Sequence, residues 1–267
     1  MKPEVSVIMS VYNPYSTDYL LRSVNAIKNQ TFTDWEMIIC DDGSFNIHHK
    51  MMEEIAASDD RITLITNNKN MGLGASLNRC IKKAKGDYIA RMDVDDTCNP
   101  DRLKVQVDFL KKHQKIAWCG TDAFLFNDNG RWGSRHMPVR PKKCDFLHYS
   151  PYIHSSVMFK RDVLTRNRGY KAMHRAEDYE LFMRLTALGY RGCNIPAELY
   201  GYREDENNYK RRTLRCALEE SYVRNDGFKK LGMRTPINFG YVVKPLIISM
   251  IPIKLQMILK RDAKEDL

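Results

Sequence analysis

The residues best suited to chemistry are acidic, and they come in three short groups. Arg91-Met92-Asp93-Val94-Asp95-Asp96 places three carboxylates within four positions. Carboxylates this close repel one another unless a cation lies between them. Hard divalent ions such as Mg²⁺ or Mn²⁺ take oxygen ligands and often bind through one or two carboxylates plus substrate phosphates. The group is either a platform for a metal and a diphosphate or a solvated acidic turn that caps the next helix. Asp41-Asp42-Gly43-Ser44 is the second group. An Asp at a strand end can accept from a base N–H or a ribose hydroxyl, yet Asp-Gly and Gly-Ser also form ordinary turns. The third is Ala176-Glu177-Asp178-Tyr179-Glu180, read as a helix start. There one carboxylate caps the helix while its neighbour could take a proton from a hydroxyl within hydrogen-bond reach.

These groups need elements to position them. Short apolar runs at residues 5–11, 35–40, 62–65 and 88–92 alternate with helical spacing at Leu20, Leu21, Val24 and Ile27 and again over 73–84. Strands alternating with helices imply right-handed crossovers and a mostly parallel, Rossmann-like sheet flanked by helices. In open sheets of this kind the ligand crevice lies beyond the carboxyl ends of the strands. Residues 10–13, 41–44 and 93–96 would therefore converge on one crevice. Beyond it, the spacing predicts a helix after Pro100, a strand over 116–126, a hairpin turn at Asp128-Asn129-Gly130 and a helix from Asp178 to Gly189. Residues 131–152 carry no clear pattern, and a basic helix is predicted over 210–231.

Other candidates are weaker. Asn70-Met71-Gly72-Leu73-Gly74 contains a G-x-G, but Leu77 stands where a dinucleotide fingerprint needs its third glycine, and no phosphate-loop G-K-[ST] occurs. Gly72 and Gly74 instead suit a tight turn into a helix. His154 is either a site residue or a structural imidazole, and His48 and His49 read as surface residues of a polar helix.

The whole-chain charge is +10, from 43 Lys+Arg against 33 Asp+Glu, and 43% of residues are hydrophobic, which excludes wholesale disorder. Seven scattered cysteines form no C-x-x-C pair, so neither a disulfide framework nor a zinc ribbon is signalled, and a reducing, cytoplasmic setting is expected. Met1-Lys2-Pro3-Glu4 leads straight into the first strand, with no secretory segment expected. The surplus charge could meet nucleic acid, an anionic membrane or a phosphorylated substrate. No zinc finger, RNP-like motif or basic–aromatic repeat supports nucleic acid.

Taken in order, the sequence resembles the family 2 glycosyltransferases with the GT-A fold, and among them bacterial enzymes of exopolysaccharide, capsule and O-antigen assembly. The resemblance rests on Ser6-Val7-Ile8-Met9-Ser10-Val11-Tyr12-Asn13, Gln30-Thr31-Phe32, Trp35-Glu36, Asp41-Asp42-Gly43-Ser44 and Asn70-Met71-Gly72. It continues through Gly86-Asp87-Tyr88-Ile89-Ala90-Arg91, Asp93-Val94-Asp95-Asp96, Pro100-Asp101-Arg102-Leu103, His154-Ser155-Ser156-Val157-Met158, Glu177-Asp178-Tyr179-Glu180-Leu181 and Tyr202-Arg203, roughly residues 4–205.

The resemblance implies a nucleotide-sugar donor, expected to be UDP-linked, and a divalent metal, Mn²⁺ or Mg²⁺. Ser10, Val11, Tyr12, Asn13, Asp42, Gly72, Arg91 and Asp93 would bind the nucleotide-sugar, with Ser10, Tyr12 and Asp42 at base and ribose. Asp93 and Asp95 match the D-x-D metal motif, Asp95 more directly. Asp178, with Glu177 beside it, matches the catalytic base of inverting members. His154 and Met158 would line the acceptor side, and Tyr202 and Arg203 a loop over the diphosphate. Two departures stand out: Leu77 occupies a position where many members carry Arg, and Glu204-Asp205 follows Arg203 where relatives often carry His.

Residues 1–205 are thus expected to form the GT-A domain, with a nucleotide-binding half over 1–100 and an acceptor-side half over 101–205. Residues 206–267 would be a basic, helical, membrane-proximal extension. Its segment 241–259 is apolar but holds Lys244, Lys254, Pro245 and Pro252, so spanning is not expected. It would lie on the inner leaflet near a lipid-linked acceptor, as a peripheral segment on the cytoplasmic face, or pack on its own domain or across a homodimer. A regulator or scaffold acting through a protein partner is the alternative class.

Overall fold

The computed structural model describes residues 2–204 and 213–251. The chain begins with β1 (Val5–Val11), α1 (Thr17–Lys28), β2 (Trp35–Asp41), α2 (Asn46–Ala57), β3 (Ile62–Thr66), α3 (Leu73–Lys83) and β4 (Tyr88–Arg91). It continues with β5 (Thr97–Cys98), α4 (Arg102–Lys112), the hairpin β6 (Trp118–Asn127) and β7 (Gly130–Arg135), β8 (Met158–Lys160) and α5 (Arg161–Arg166). Then follow α6 (Glu177–Ala187), β9 (Gly192–Arg203), α7 (Leu214–Lys230) and α8 (Phe239–Met250). All nine described strands join one sheet in the order β3-β2-β1-β4-β8-β6-β9-β5, with β7 paired to β6.

The expected parallel sheet holds through β3-β2-β1-β4. Beyond β4 it is mixed: β8 runs antiparallel to β4 and β6, and β9 runs parallel to β6. The short turn at Asp128-Asn129 permits only an antiparallel partner for β6, and β7 supplies it. Residues 131–152, patternless in sequence, become β7 and a 3-10 turn over Lys143–Leu147.

Both faces of the sheet are covered, and the period of two in β1 divides the core accordingly. Val5, Val7, Met9 and Val11 meet Leu20, Val24 and Ile27 of α1 and Leu103, Val107 and Leu110 of α4. Ile8, Ile38 and Cys40 face the other way, toward Leu77, Cys80 and Ile81 of α3 and Leu181, Phe182 and Leu185 of α6. Val223 and Phe228 of α7, with Leu231 and Val242, belong to that second core. The helical extension therefore packs on the sheet domain rather than standing apart. The expected boundary near 205 lies outside the described residues, as do residues 210–212 of the predicted basic helix and 252–259 of the apolar tail. Among the described residues no helix is long and apolar enough to cross a membrane.

Two buried polar side chains brace the crevice loops. Gln30 accepts from the Leu103 N–H at 2.9 Å and donates to the Asn99 carbonyl at 2.8 Å. Arg102, fully buried, donates to the Arg91 carbonyl at 2.7 Å and the Ser155 carbonyl at 3.3 Å. Buried groups of this kind are costly unless bonded. Each therefore ties its loop to one geometry.

Candidate active site

Register brings the strand exits together. Val11 pairs with Asp41 and Ile8 with Arg91, so the residues after β1, β2 and β4 leave the same edge of the sheet. Asn13 sits at φ 42°, receives the Phe45 N–H on Oδ1 at 2.8 Å and donates its own N–H to the Ser44 hydroxyl at 3.0 Å. That cross-link stitches the first two exits. Tyr12 is half exposed beside them, Ser10 is partly buried, and Val11 is in the core.

Asp42 is buried and already committed. Its Oδ1 accepts from Asn67 Nδ2 at 2.6 Å and the Met71 N–H at 2.8 Å, and its Oδ2 from the Gly72 N–H at 2.9 Å. A carboxylate offers about four acceptor positions. Asp42 is thus chiefly a clamp on the loop that starts α3, with one acceptor position left. Gly43 permits the packing, since a Cβ there would lie 2.6 Å from the Lys69 carbonyl carbon. Asp41 holds the Ser44 N–H at 2.8 Å and His49 Nδ1 at 2.8 Å. His49, expected on the surface, is half buried and anchors α2 to the crevice. Leu77 is fully buried in the second core.

The Asp93–Asp96 group divides by role. Asp96 is buried, its Oδ1 accepting from the Arg203 N–H at 2.7 Å and its Oδ2 from the Tyr200 hydroxyl at 2.8 Å. Burial, then the charges of Asp93 and Asp95, push its carboxyl well above the usual range. Asp96 ties β9 to the crevice. Asp93 gives Oδ1 to Arg91 at 2.6 Å and is one-third exposed, and Asp95 is half buried beside it. Among the described residues no group of three or more His, Cys, Asp or Glu is set to hold a metal. One or two carboxylates suit a hard ion that takes its other oxygens from a diphosphate and water, and Asp95 with the outer oxygen of Asp93 fits that donor set.

Arg91 departs from expectation. Rather than reaching into the crevice for the nucleotide-sugar, it lies beneath it, 1% exposed, pairing with Asp93 and donating to the Met92 carbonyl at 2.5 Å. Its charge draws down the pKa values of Glu177, Asp178 and Tyr170, although burial holds all three above their ordinary values. Arg91 is the buried cation around which the acids assemble.

The third acidic group starts α6 without a side-chain cap, after Ala176 in the left-handed region at φ 64°. Glu177 is buried, and its carboxyl is pushed up to about 7, first by burial and then by the charge of Asp178. Asp178 is half buried. Burial raises it, while its own N–H and that of Tyr179 draw it down. At a helix start such N–H groups have no carbonyl partner within the helix. Paired acids titrate apart, and the helix-start N–H groups favour the charged form of Asp178.

The surroundings fix this pair. A Cβ on Gly74 would meet the Lys171 carbonyl at 2.9 Å, so α3 starts directly against the segment leading to Glu177. Asn78 grips the backbone N–H and carbonyl of Tyr170 at 2.8 and 2.7 Å. The Tyr170 hydroxyl meets His154 Nε2 at 2.8 Å, and burial, then Arg91, pull the imidazole pKa well down. On the far side, Glu219 of α7 accepts the His174 and Arg175 N–H groups at 2.9 and 3.2 Å.

Three expected residues sit elsewhere. Met158 is fully buried in β8 between Ala90 and Cys119, in the first core, and cannot line an acceptor wall. Its position alternates inward on a strand the sequence did not announce. Tyr202 and Arg203 end β9 and are not in a loop. Arg203 lies 2.7 Å from Asp128 and 2.6 Å from the Tyr19 hydroxyl, over whose ring it packs at 3.9 Å. Tyr202 packs against the core under Arg135. Tyr170, Tyr200 and Glu219 are the contributors sequence reasoning missed. Their partners lie 16 to 107 residues away, and no local pattern announces such pairs.

Known proteins match this sequence and fold. Residues 6–182 match the profile of Glycosyl transferase family 2. The chain is 36% identical to the putative glycosyltransferase EpsE of Bacillus subtilis, over 94% of this chain and 90% of that protein. It is 29% identical to the UDP-Gal:alpha-D-GlcNAc-diphosphoundecaprenol beta-1,3-galactosyltransferase of Escherichia coli, over 82% of this chain and 81% of that one. Among solved structures, TarS 1–349 of S. aureus in complex with UDP-GlcNAc superposes with a TM-score of 0.70 at 18% identity, covering 92% of this chain and 71% of that one. That likeness shows the fold, the GT-A glycosyltransferase fold. The chain belongs to glycosyl transferase family 2.

Proposed function

We propose that this glycosyltransferase moves a sugar from a UDP-linked donor to a hydroxyl of a lipid-linked glycan by a single inverting displacement, within bacterial exopolysaccharide, capsule or O-antigen assembly. The observation carrying this reading is the convergence of two acid groups around Arg91: Asp93 with Asp95 at the exit of β4, and Glu177 with Asp178 at the start of α6. The first would receive the donor's diphosphate, the second the acceptor's hydroxyl. A relative named for a UDP-galactose donor and a diphosphoundecaprenol acceptor supports both halves.

Each part of the chain then has a task. The exits of β1 and β2, cross-linked by Asn13, would hold base and ribose between Ser10, Tyr12 and the last acceptor position of Asp42. Asp95 and Asp93 would hold a divalent ion, whose chemistry is to neutralise charge growing on a departing diphosphate. Asp178 would take the proton from the attacking hydroxyl. Glu177, with its carboxyl near 7, would keep the pair from carrying two full charges. We place the enzyme on the cytoplasmic face of the membrane as a peripheral protein, supported by exposed Ile247 and Met250 beside Lys244 on α8.

Asp95→Ala tests the donor half. Calorimetric titration with UDP and Mn²⁺ is expected to show metal-dependent binding to the parent protein and its loss in the variant. Unchanged affinity would remove Asp95 from the donor site.

A further inference from the structure

The sheet has a ligand-sized opening at its other edge. β6 and β9 run in the direction of β4, since β8 is antiparallel to both β4 and β6, and β9 is parallel to β6. Their first residues therefore lie opposite the strand exits that form the crevice. A groove of about 630 Å³ opens there, with Gly192 and Cys193 at the start of β9 in its lining. That size falls within the roughly 300–1,000 Å³ of small-molecule sites. Thr186 of α6 also lines it, about 12 Å along that helix from Asp178. The groove is separate from the acid groups.

Its lining is basic and holds no carboxylate. Arg140, Lys142, Lys143 and Arg191 line it, all are exposed, and none forms an ion pair among the described residues. Asp145 is close by, with its Oδ2 taken by the Lys142 N–H at 2.7 Å. The C-terminal ends of α4 and α6 adjoin the groove at His113 and Thr186, and each brings about half a negative charge. The four cations outweigh these, so the field favours a multiply charged anion.

The rest of the lining is apolar or aromatic. Phe109, Val139, Phe146 and Tyr190 belong to it, and the His113 ring stands 4.5 Å from that of Phe109. Gly192 leaves the backbone bare: a Cβ there would overlap the Trp118 indole nitrogen and lie 2.5 Å from the Tyr152 hydroxyl. Tyr152 lines the groove and is 4% exposed, and the indole N–H beside it is buried without an acceptor. A buried donor left unmatched costs stability unless water or a ligand meets it.

We propose that this groove is a second nucleotide site, which takes a nucleoside triphosphate without a divalent ion. Arg140, Lys142 and Lys143 fall within four positions, and with Arg191 they hold the phosphates. The base lies against Phe109 and Tyr190. An acidic glycan spreads its carboxylates along an extended chain, whereas a triphosphate concentrates its charge as these cations do. The proposal stands apart from the reading of the crevice, where a diphosphate would need an ion on Asp95 and Asp93.

Cys193 is partly accessible and reports occupancy of the groove, while Cys216 on α7 is the internal reference. The full chain would be alkylated with iodoacetamide in metal-free buffer, and each cysteine followed by mass spectrometry. ATP at ten times its half-protecting concentration is expected to slow Cys193 alkylation about tenfold and leave Cys216 unchanged. Adenosine and inorganic tripolyphosphate at that concentration should each protect far less. Arg140→Glu combined with Lys143→Glu should abolish the protection, and both side chains are exposed, so the fold should hold. No protection by ATP, equal slowing of Cys216, equal protection by tripolyphosphate, or full protection in the double variant would each overturn the proposal. So would protection that appears only when Mn²⁺ is added. Protection by trigalacturonic acid without protection by ATP would overturn it in favour of an acidic glycan. Asp95→Ala is expected to lose Mn²⁺-dependent UDP binding and to keep the ATP protection of Cys193. Loss of both would overturn the proposal, because ATP would then be reporting the donor crevice.

Discussion

Asp178→Asn is expected to bind UDP and its sugar conjugate as tightly as the parent chain and to transfer sugar about 10²–10⁴-fold more slowly. The amide keeps the size of the side chain and can still meet the helix-start N–H groups through its oxygen. It cannot accept a proton from an attacking hydroxyl. Because base and ribose would be held at the exits of β1 and β2 while Asp178 starts α6, the donor side should not register the change. Initial rates measured beside UDP titrations give the comparison. A variant with parental turnover would end the assignment of Asp178 as the base. Glu177 is a poor substitute, since its side chain is buried.

The second large effect concerns Arg91. Arg91→Met keeps an unbranched apolar stem in the buried space while removing the charge that faces Asp93, Glu177 and Asp178. Leaving the partner of a buried ion pair uncompensated costs about 3–5 kcal/mol. At this chain length that corresponds to a fall in Tm of roughly 10 °C. The loss should depend on pH, and the sign follows from the direction of the shifts. Glu177 and Asp178 already titrate higher in the folded chain than when unfolded. Their charging therefore erodes stability as pH rises from the unfolded pKa to the folded one. Without Arg91 both folded values climb further, and the erosion extends to higher pH. Calorimetric scans at pH 5 and pH 8 should show the larger penalty at pH 8. An equal penalty at both would mean that Arg91 serves packing and not the acids.

The crevice was legible in the sequence where local patterns carry structural meaning. Apolar runs closing on Asn13-Pro14, Asp41-Asp42-Gly43-Ser44 and Asp93-Val94-Asp95-Asp96 mark parallel strand ends, and parallel strands align their exits. Glu177-Asp178 was legible as a helix start. Yet the same ordered motifs mix residues that face the crevice with residues that build it. Gln30, Arg102, Asp96 and much of Asp42 hold loops from inside, although composition gave no reason to separate them from Asp93 or Asp95. Met158 reads as part of a site motif and is core, because β8 is three residues long and too short to show its alternation. The Tyr200–Asp96 and Tyr170–His154 bonds depend on chain returns that no periodicity encodes.

The net charge of +10 divides in the same way. The strand exits and the start of α6 are acidic, while the segment 140–143, which borders the groove at the opposite edge of the sheet, is basic. A donor diphosphate at the acidic exits would need an ion to accept it.

A single displacement with the base on the face opposite the departing diphosphate inverts the anomeric carbon. Proton NMR of the sugar released by slow hydrolysis, with water standing in for the acceptor, reads this directly at early times. From an α-linked UDP-sugar substrate the account predicts the β anomer as the first product. First appearance of the α anomer would contradict it.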